Sequence, residues 1–596
     1  MFVDAIGIAI TYSIAIAVLK LYINTEYDFV MAFMTLPLII AFKLLFYYFT
    51  KVYHLVLVNV GLDEVVKISM SILFSNIILA FVTLSIPNFE FIPEVFLIFT
   101  TLFEIFMSVT PRILRRLIRM LVPNNRLPVG KRTLIIGAGP GGKIVLHELR
   151  NNPNLSNHVV AFVDDDKEKI NQLLSGYEVF GPIKKVPHLI DELGIQEVII
   201  AISNISKERF SELIQLISKR PVTIKRLPVL SEYHENQKHK IIDVNVEDLL
   251  SRDPVELDKS GIQQFINNKV ILVTGAGGSI GSELVRQISE YHPKLVVLFD
   301  IYEHGVYDLQ SELRIRFQKT NQSIETVVLI GSVYNYTRIE YVFRTYKPDY
   351  VFHAAAYKHV PLMEDSAVEA VRTNIIGTYN VCHLANRYQV KKLVLVSSDK
   401  AVRPTNVMGA TKRFAEMIIQ SFDNQSNTSY SAVRFGNILG SNGSVVPLFK
   451  KQIESGGPLT VTDKRITRFF MTIPEATGLI LQSAEYAKGG EIFILDMGEP
   501  VKIYDLAIKM IKLSGYRPFD DIDIKICGLR PGEKLYEELL VNEHHVKTAN
   551  EKIFIEKLPC QVNVDKEIEE IKRVFETINN DEIKQLVKKY VDTYQL

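Results

Sequence analysis

An acid and an amine stand side by side at Asp399 and Lys400, directly after Ser398. The apolar run Lys392–Val396 before them predicts a β-strand, so the three side chains should lie at the carboxyl end of that strand. Open α/β sheets bind their ligands at such ends. A neighbouring acid and amine offer one substrate a proton donor and a proton acceptor when burial or nearby charges adjust their pKa values. The alternative interpretation is an exposed strand end with solvated charges.

A glycine-rich turn lies earlier in the chain, with glycines at positions 275, 278 and 281. It follows the apolar run 270–273 and leads directly into a helical pattern, which is the order found in dinucleotide-binding βαβ units. Small residues in such a turn let the backbone approach a diphosphate at the helix N-terminus. Asp300 ends the next apolar run, where a carboxylate accepts hydrogen bonds from both ribose hydroxyls and repels a 2′-phosphate. The sequence therefore favours NAD over NADP.

Two more strand-like runs follow, at 326–330 and 350–352. The second leads into small residues that suit close passage of a nicotinamide ribose. The predicted cofactor-binding residues of this unit are Gly275, Gly278, Ser279, Ile280, Gly281, Asp300, Ala354 and Ala355.

Residues 131–250 predict a smaller Rossmann-like domain. The apolar run 133–136 precedes a glycine-rich segment at 137–142 and a helical pattern, and a second run, 159–163, ends in three aspartates. This order fits the start of a nucleotide-binding βαβ unit. A purely structural fold is the alternative, because a fold does not by itself determine a function.

The excess of apolar residues lies in the first 110 positions. Four stretches, 2–23, 29–50, 68–86 and 91–110, are long and apolar enough to predict transmembrane helices in a region covering residues 1–122. The basic loops place both ends of this region in the cytoplasm by the positive-inside rule. A cleavable signal peptide is the alternative for the first stretch, but a basic leader and a small-residue cleavage site are missing there.

Charged residues within and after these stretches lead to two further expectations. The segment 111–120 alternates arginines with apolar residues at helical spacing, which predicts an interfacial helix on anionic lipid, with a solvated connector as the alternative. Lys43 and Glu104 fall at a similar depth of the second and fourth stretches. Because a lone charge inside a bilayer is costly, we expect them to meet across a helix contact, unless Lys43 extends to the headgroups.

Composition excludes several classes of protein. The 596 residues carry 68 Lys plus Arg against 67 Asp plus Glu, so no overall positive field points to nucleic acid. The three cysteines are widely spaced, which argues against a disulfide framework or a thiolate metal site. We predict no metal centre.

Residues 262–596 resemble the extended short-chain dehydrogenase/reductases (SDRs) that modify nucleotide sugars. The whole chain resembles the membrane-anchored UDP-N-acetylglucosamine 4,6-dehydratases of the CapD/PglF-like family. The segments that carry the resemblance are 162–166, 247–253, 274–281, 353–361, 398–412, 434–440 and 530–534. It implies an α/β protein in which a four-helix transmembrane region is followed by two Rossmann-like doubly wound domains. The second of these is an extended SDR catalytic domain with a C-terminal substrate-binding part.

The resemblance also implies an activity. NAD-dependent dehydration of UDP-N-acetylglucosamine would give a UDP-4-keto-6-deoxy-N-acetylhexosamine for capsule or glycan biosynthesis. Lys400 would take the C5 proton, Asp399 would protonate the departing C6 hydroxyl, Ser398 would hydrogen-bond O4, and Lys412 would bind the nicotinamide ribose. Either Lys400 or Asp399 could remove the O4 proton. The implied substrate contacts are Lys358, Met408, Asn437, Ser441 and Arg530.

Met408 departs from the wider superfamily, which has a tyrosine four residues before the lysine. A thioether is not a base at neutral pH, so the role of that tyrosine would have to pass to another group. A C5-inverting dehydratase and a nucleotide-sugar 4-epimerase are alternative enzymes, and a non-catalytic membrane scaffold is an alternative of another class. The expected setting is a multi-pass bacterial inner membrane protein with cytoplasmic catalytic domains. The expected partners are the lipid bilayer, further copies of the chain and other glycan-assembly enzymes.

Overall fold

A computed structural model describes most of the chain. The residues described are 2–22, 29–54, 62–85, 94–121, 130–152, 155, 157–202, 204–227, 241–244, 255–320, 324–441, 443–540, 545–556 and 564–595. They form two compact units, Met1–Val129 and Gly130–Leu596, which are taken separately below. The segment 247–253, one of those that carry the family resemblance, lies outside the described residues.

The first unit is helical in the part that the structure describes. Its helices are α1 (Phe2–Tyr22), α2 (Phe29–Phe49), α3 (Leu62–Ser85) and α4 (Glu94–Leu121). Among the described residues, one stretch, Glu64–Val82 of α3, is long and apolar enough to cross a membrane, and Phe33–Phe49 of α2 is apolar but shorter. The four helices stand where four spans were expected, but the number of spans stays a prediction.

Helix α4 corrects one expectation. It continues through Pro111 to Leu121, so residues 111–120 are not a separate helix. The Arg112 guanidinium donates to the Ser108 carbonyl at 2.5 Å and to both carboxylate oxygens of Asp4 on α1, at 2.8 and 3.0 Å. These bonds stabilise the helix next to a proline that lacks the amide hydrogen of a normal turn.

The predicted contact between Lys43 and Glu104 is confirmed. The Lys43 amine donates to Glu104 and, at 2.7 Å, to Asn76 Oδ1. The Tyr47 hydroxyl donates to the other Glu104 oxygen at 2.6 Å, and both charged side chains are buried. A buried ion pair is tolerated when such added hydrogen bonds satisfy its remaining polar atoms.

A crosslinking experiment checks this contact. We expect cysteines at positions 43 and 104 of the detergent-solubilised full-length protein to be joined by a short bismaleimide. Cysteines at 45 and 104 should not be joined, because Leu45 lies on the exposed side of α2. Lys43→Glu or Glu104→Lys alone should destabilise the unit by about 3–5 kcal/mol, because a buried charge loses its partner. The double exchange should recover expression; failure of both tests would contradict the contact.

The second unit begins with a seven-stranded sheet of order β3-β4-β2-β1-β5-β6-β7. Its strands are β1 (Lys131–Ile136), β2 (Asn157–Val163), β3 (Leu173–Leu174), β4 (Tyr177–Phe180), β5 (Glu197–Ile200), β6 (Thr223–Arg226) and β7 (Ile242–Asp243). The helices here are α5 (Pro140–Asn151), α6 (Val186–Glu192) and α7 (Lys207–Ile217). The central strands β2, β1, β5 and β6 are parallel, as expected for a Rossmann-like sheet.

The rest of the second unit carries the larger sheet and small accessory sheets. Its strands are β8 (Val270–Thr274), β9 (Leu295–Asp300), β10 (Glu325–Ile330), β11 (Tyr350–His353), β12 (Lys392–Val396), β13 (Ser429–Arg434), β14 (Asn437–Ile438), β15 (Leu459–Val461), β16 (Thr467–Arg468), β17 (Phe470–Met471), β18 (Ile492–Leu495), β19 (Val501–Lys502), β20 (Ile524–Ile526), β21 (Val546–Lys547) and β22 (Ile553–Glu556). Its helices are α8 (Lys259–Ile266), α9 (Ser279–Glu290), α10 (Glu303–Thr320), α11 (Tyr336–Tyr346), α12 (Val360–Asp365), α13 (Ala367–Ala370), α14 (Thr378–Arg387), α15 (Val407–Asp423), α16 (Val445–Glu454), α17 (Ile473–Tyr486), α18 (Ile503–Leu513), α19 (Val564–Val574) and α20 (Asn580–Tyr590).

The larger sheet has the order β10-β9-β8-β11-β12-β13-β18-β22-β21. The pairs from β10 to β18 are parallel, and β22 and β21 add an antiparallel edge. The interior strands are apolar and buried because apolar clusters cover both faces of the sheet. Strand β8 has β9 on one side and β11 on the other, so the chain changes direction beside β8, which is where doubly wound sheets bind ligands.

Candidate active site

The turn between β8 and α9 is shaped for close approach of a ligand. Gly275 has a φ of +70°, which favours glycine. A Cβ at Gly281 would lie 2.0 Å from the Gly275 carbonyl oxygen, so only glycine lets α9 pack against the turn. Gly278 is the N-cap of α9 and has no capping side chain. The N-terminus of the helix is therefore suited to an anion such as a diphosphate.

Asp300 lies at the carboxyl end of β9, as predicted. Its carboxylate accepts hydrogen bonds from the Gly277 amide at 2.7 Å and from the Tyr302 amide at 2.9 Å. The acid therefore holds the glycine turn as well as standing where a ribose hydroxyl is expected. Together with the open cradle of the turn, it shows that the residues present fit a dinucleotide.

A cavity of about 430 Å³ lies at the carboxyl ends of β8, β11 and β12. It brings together most of the residues predicted for the cofactor and the substrate. Those that line it are Gly275, Gly278, Ser279, Ile280, Gly281, Ala354, Lys358, Ser398, Lys400, Met408, Lys412, Asn437 and Ser441.

Four predicted site residues do not line this cavity. Asp300 and Asp399 lie just behind its wall, and Ala355 supports it, since a Cβ at Gly275 would lie 2.6 Å from the Ala355 nitrogen. Arg530 has an exposed side chain in a turn where its amide donates to Glu533 at 3.2 Å. The structure therefore separates Arg530 from the cavity that it was expected to line.

Asp399 and Lys400 begin a single 3₁₀ turn, Asp399–Ala401, that Ser398 caps. The Ser398 hydroxyl accepts from the Lys400 amide at 3.1 Å and donates to Asp399 Oδ1 at 2.8 Å. Lys400 Nζ donates to the same Oδ1 at 3.0 Å and to Asn437 Oδ1 at 3.3 Å. The pair is therefore held in one geometry by the turn and by a neighbouring strand end.

Asp399 is completely buried, and its Oδ2 atom has no hydrogen-bond partner among the described residues. Burial raises the pKa of Asp399 although the Lys400 cation opposes this, and the nearby Glu537 carboxylate raises it further. The pKa of Lys400 also lies above its ordinary value, because Asp399 and Glu537 together outweigh the opposing effect of burial. The pair therefore retains a proton to a higher pH than an isolated carboxylate would.

Glu537 is a site residue that the sequence did not reveal. Its Oε1 lies 3.4 Å from Lys400 Nζ and 3.7 Å from Arg468 Nε, and its side chain is 3% exposed. It stands three residues after the segment 530–534, which carries part of the family resemblance, so the sequence pointed to this region of the chain but not to Glu537 itself. Nothing in local spacing places it beside Lys400, because the two residues meet only through the tertiary fold.

Helix α15 carries Met408 and Lys412, which both line the cavity. A Cβ at Gly409 would lie 2.2 Å from the Lys400 carbonyl oxygen, so a glycine is needed for the helix to reach the 3₁₀ turn. Met408 is 2% exposed and lines the cavity. Lys412 Nζ donates to the Val396 carbonyl at 2.6 Å. Burial lowers the pKa of Lys412 to about 8, with Glu416 opposing the shift.

A buried ionic network lies beneath the strand end. The Arg434 guanidinium donates to both Glu416 oxygens, at 2.6 and 2.7 Å, and also pairs with Glu556 of β22. Glu416 in turn accepts from the Ser397 hydroxyl at 2.7 Å. Arg434 and both glutamates are about 0–1% exposed. The network ties α15, β12, β13 and the antiparallel edge together below the Asp399–Ala401 turn.

The fold and the site define a short-chain dehydrogenase/reductase-type domain with a dinucleotide turn and an acid–amine pair whose acid is buried. A family model described as polysaccharide biosynthesis protein matches residues 271–558. A second model, described as a CoA-binding domain, matches residues 49–228.

The chain is similar to several curated proteins. It is 42% identical over 550 residues to capsular polysaccharide biosynthesis protein CapD of Staphylococcus aureus, covering 91% of this chain and 90% of that protein. It is 34% identical to an inverting UDP-N-acetylglucosamine 4,6-dehydratase of Campylobacter jejuni, over 47% of this chain and 79% of that protein. It is 33% identical to a UDP-glucose 4-epimerase of Rickettsia canadensis, over 48% of this chain and 81% of that protein. The chain belongs to the CapD-like family of polysaccharide biosynthesis proteins, as its sequence motifs indicated.

Proposed function

We propose that this protein is an NAD-dependent UDP-N-acetylglucosamine 4,6-dehydratase that makes a UDP-4-keto-6-deoxy-N-acetylhexosamine for capsule or glycan biosynthesis. The observation that carries the proposal is the ion pair, 3.0 Å long, between the buried Asp399 and Lys400, which lines the same cavity as the glycine turn. The name of the similar Campylobacter protein supports the same substrate.

NAD would lie with its diphosphate on the turn at Gly275 to Gly281 and its adenosine ribose near Asp300. Lys412 stands beside the catalytic turn, where its amine would hydrogen-bond the nicotinamide ribose. When bound, NAD supplies a hydride acceptor for C4 of the sugar and a hydride donor for C6. Oxidation at C4 makes the C5 proton acidic, which prepares the elimination of water.

The acid–amine pair would carry out that elimination. Transfer of one proton from Lys400 Nζ to Asp399 gives a neutral amine and a carboxylic acid without moving either side chain. Lys400 would then take the C5 proton while Asp399 protonates the departing C6 hydroxyl. The raised pKa of Asp399 favours this acid role, whereas the raised pKa of Lys400 opposes the transfer that frees its amine. Ser398, which already donates to Asp399, would orient O4 of the sugar.

The nucleotide-sugar would fill the rest of the cavity. Asn437 and Ser441 line it from the β13 side, and Lys358 lines it from the loop after β11. An ammonium at Lys358 suits the diphosphate electrostatically. Arg530 was expected to contribute to the same group, and its exposed side chain would have to turn inward to do so.

Two related enzymes remain candidates because similar proteins carry their names. A C5-inverting dehydratase would use the same pair and return the C5 proton to the opposite face, as the name of the Campylobacter protein suggests. A 4-epimerase is named for the Rickettsia protein, but Met408 in place of the superfamily tyrosine counts against it. A scaffold without activity would not explain a buried, unpaired carboxylate oxygen at Asp399.

Product analysis tests the proposal. Full-length protein in detergent is incubated with UDP-N-acetylglucosamine, and the product is followed by mass spectrometry and proton NMR. We expect the loss of one water without accumulation of NADH, and the NMR coupling at C5 distinguishes retention from inversion. A product of unchanged mass, or a steady rise in NADH absorbance, would contradict the dehydratase.

Substituting Met408 by leucine tests whether the role of the superfamily tyrosine has passed to a group other than Met408. Leucine fills a similar volume and removes only the sulfur, so we expect turnover to stay within about threefold of the wild type. Steady-state kinetics with UDP-N-acetylglucosamine measures this. A loss of about a hundredfold or more would show that the thioether itself takes part in the reaction.

The proposed setting is a multi-pass bacterial inner membrane protein whose catalytic unit faces the cytoplasm. The apolar stretch of α3 supports membrane attachment. Thiol labelling of single cysteines placed between the helices, in intact and in permeabilised cells, would give the number of crossings. Self-association and contacts with other glycan-assembly enzymes stay predictions.

A further inference from the structure

We propose that Glu537 is a positioning residue for elimination, holding Lys400 together with Asp399 and keeping one proton on the acid–amine pair. This inference rests on the proposed dehydratase function. Lys400 Nζ lies 3.0 Å from Asp399 Oδ1 and 3.4 Å from Glu537 Oε1. The amine is therefore within ion-pair distance of two carboxylates, and the side chains of Asp399 and Glu537 are almost fully buried.

The second carboxylate is not a chance neighbour. Glu537 belongs to the segment 532–538, which is hydrogen-bonded to the residues that follow the Asp399–Ala401 turn. Lys534 Nζ donates to the Val402 carbonyl at 2.8 Å, and Asn406 Nδ2 donates to the Gly532 carbonyl at 3.0 Å. From the other side, Arg468 donates to the Lys534 carbonyl at 2.8 Å. These bonds fix the 532–534 backbone against the residues that follow the Asp399–Ala401 turn, so the carboxylate of Glu537 has a defined position.

The remaining polar atoms also suggest a task for this carboxylate. Glu537 Oε2 and Asp399 Oδ2 are both buried and have no hydrogen-bond partner within the described residues. An unsatisfied buried carboxylate oxygen costs free energy and is uncommon in a purely structural pair. Two of them around a single amine are expected where a proton must move rather than remain in one place.

The charges that face Glu537 determine the sign of its effect. Lys400 and Arg468 lie nearest to its carboxylate, with Lys534 on its own segment and the Asp399 carboxylate beyond Lys400. Glu533 lies further out, 3.5 Å from an Arg468 nitrogen. The negative charge of Glu537 stabilises a proton on either member of the pair. Its removal should therefore let the pair lose that proton at a lower pH.

The proton count of the elimination explains why the Asp399–Lys400 pair must keep one proton. The reactive pair carries one proton, on Asp399, with Lys400 neutral. The C5 proton moves to Lys400 as the C5–H bond breaks, and the Asp399 proton leaves with the C6 hydroxyl as water. The pair again carries one proton, now on Lys400, and an internal transfer resets it. A pair that has already lost its proton has no acid for the leaving group.

Three variants of the full-length protein in detergent test the inference. Glu537→Gln removes the charge and nearly keeps the shape, whereas Glu537→Asp keeps the charge on a shorter side chain. Glu538→Gln is the matched control, because Glu538 belongs to the same segment but is 42% exposed and pairs with Arg403 at 2.7 Å. kcat and KM for UDP-N-acetylglucosamine are measured across pH, and thermal unfolding of each variant is recorded.

We expect Glu537→Gln to lower kcat by about 10- to 100-fold with little change in KM. The alkaline limb of its pH–rate profile should shift down by about one unit. Glu537→Asp should return the limb towards the wild-type position, and Glu538→Gln should match the wild type throughout. If Glu537→Gln is too unstable to assay, Glu537→Asp decides: a limb shifted down by part of a unit supports the inference, and a wild-type limb with wild-type kcat overturns it.

Two results would overturn the inference while leaving the dehydratase in place. One is wild-type kcat in Glu537→Gln, and the other is a lowered kcat with an unshifted pH profile, which would indicate a structural role. A wild-type protein that does not dehydrate UDP-N-acetylglucosamine would overturn the proposed function and this inference with it.

Discussion

Replacing Lys400 by alanine or Asp399 by asparagine should each lower turnover by several powers of ten, equivalent to about 3–5 kcal/mol of barrier. Alanine removes the proposed base for the C5 proton, and asparagine removes the proposed acid for the C6 hydroxyl. The fold should survive because the 3₁₀ turn keeps its backbone bonds, such as the one from the Ala401 amide to the Ser398 carbonyl at 3.2 Å. Single-turnover kinetics and thermal unfolding measure the two effects separately.

Lys391→Ala serves as the matched control for these variants. Lys391 precedes the same strand but is 59% exposed and pairs with Asp349 away from the cavity. It should retain wild-type turnover. If Lys400→Ala kept half of the activity while Met408→Leu abolished it, the assignment of roles in the catalytic turn would be wrong.

Replacing Arg434 by methionine should destabilise the second unit by about 3–5 kcal/mol, because the buried carboxylates of Glu416 and Glu556 lose the cation that they share. The midpoint of thermal or denaturant unfolding measures the loss. Arg413→Met is the control: Arg413 makes a single 3.0 Å bond to Glu416 at a partly exposed position, so about 1 kcal/mol or less is expected. Equal effects of the two substitutions would contradict the importance of the network.

The same network predicts how acid affects stability. Although burial opposes the shift, the Arg434 cation and its hydrogen bonds lower the pKa of Glu416 to about 2. A carboxylate with a depressed pKa stabilises the folded state above its unfolded pKa of about 4.3, and this stabilisation is lost as the pH falls towards 2. The wild type should therefore lose this contribution below about pH 4, and Arg434→Met should lack it already at neutral pH.

Much of the larger sheet could be predicted from the sequence. The five strands predicted between residues 270 and 396 agree with β8 to β12 to within one residue at either end. The reason is physical: strands buried on both faces are short continuous apolar runs, and turn residues mark their ends. The contact between Lys43 and Glu104 was predictable for a similar reason, because few charges in an apolar unit have few possible partners.

Residues that approach the site from distant parts of the chain were not predictable in the same way. The motif around Arg530 was recognised, but the structure brings Glu537 from the following residues to Lys400 and leaves Arg530 exposed. Helix α4 was expected to end before Pro111, and a side-chain bond from Arg112 to the Ser108 carbonyl lets it continue. Both differences depend on tertiary contacts, which neither periodicity nor local spacing encodes.

The segment around Glu537 also bears on the order in which the protein becomes active during synthesis. The chain leaves the ribosome from its N-terminus, and domains tend to fold as they emerge. The dinucleotide turn and strands β8 to β12 are complete long before residue 537 is made, whereas Glu537, Lys534 and Gly532 come late and lie against the catalytic turn. A nascent chain in which the cofactor site has already been synthesised would still lack the carboxylate of Glu537. Catalytic competence would therefore arise near the end of translation, after the nucleotide-binding framework has already folded.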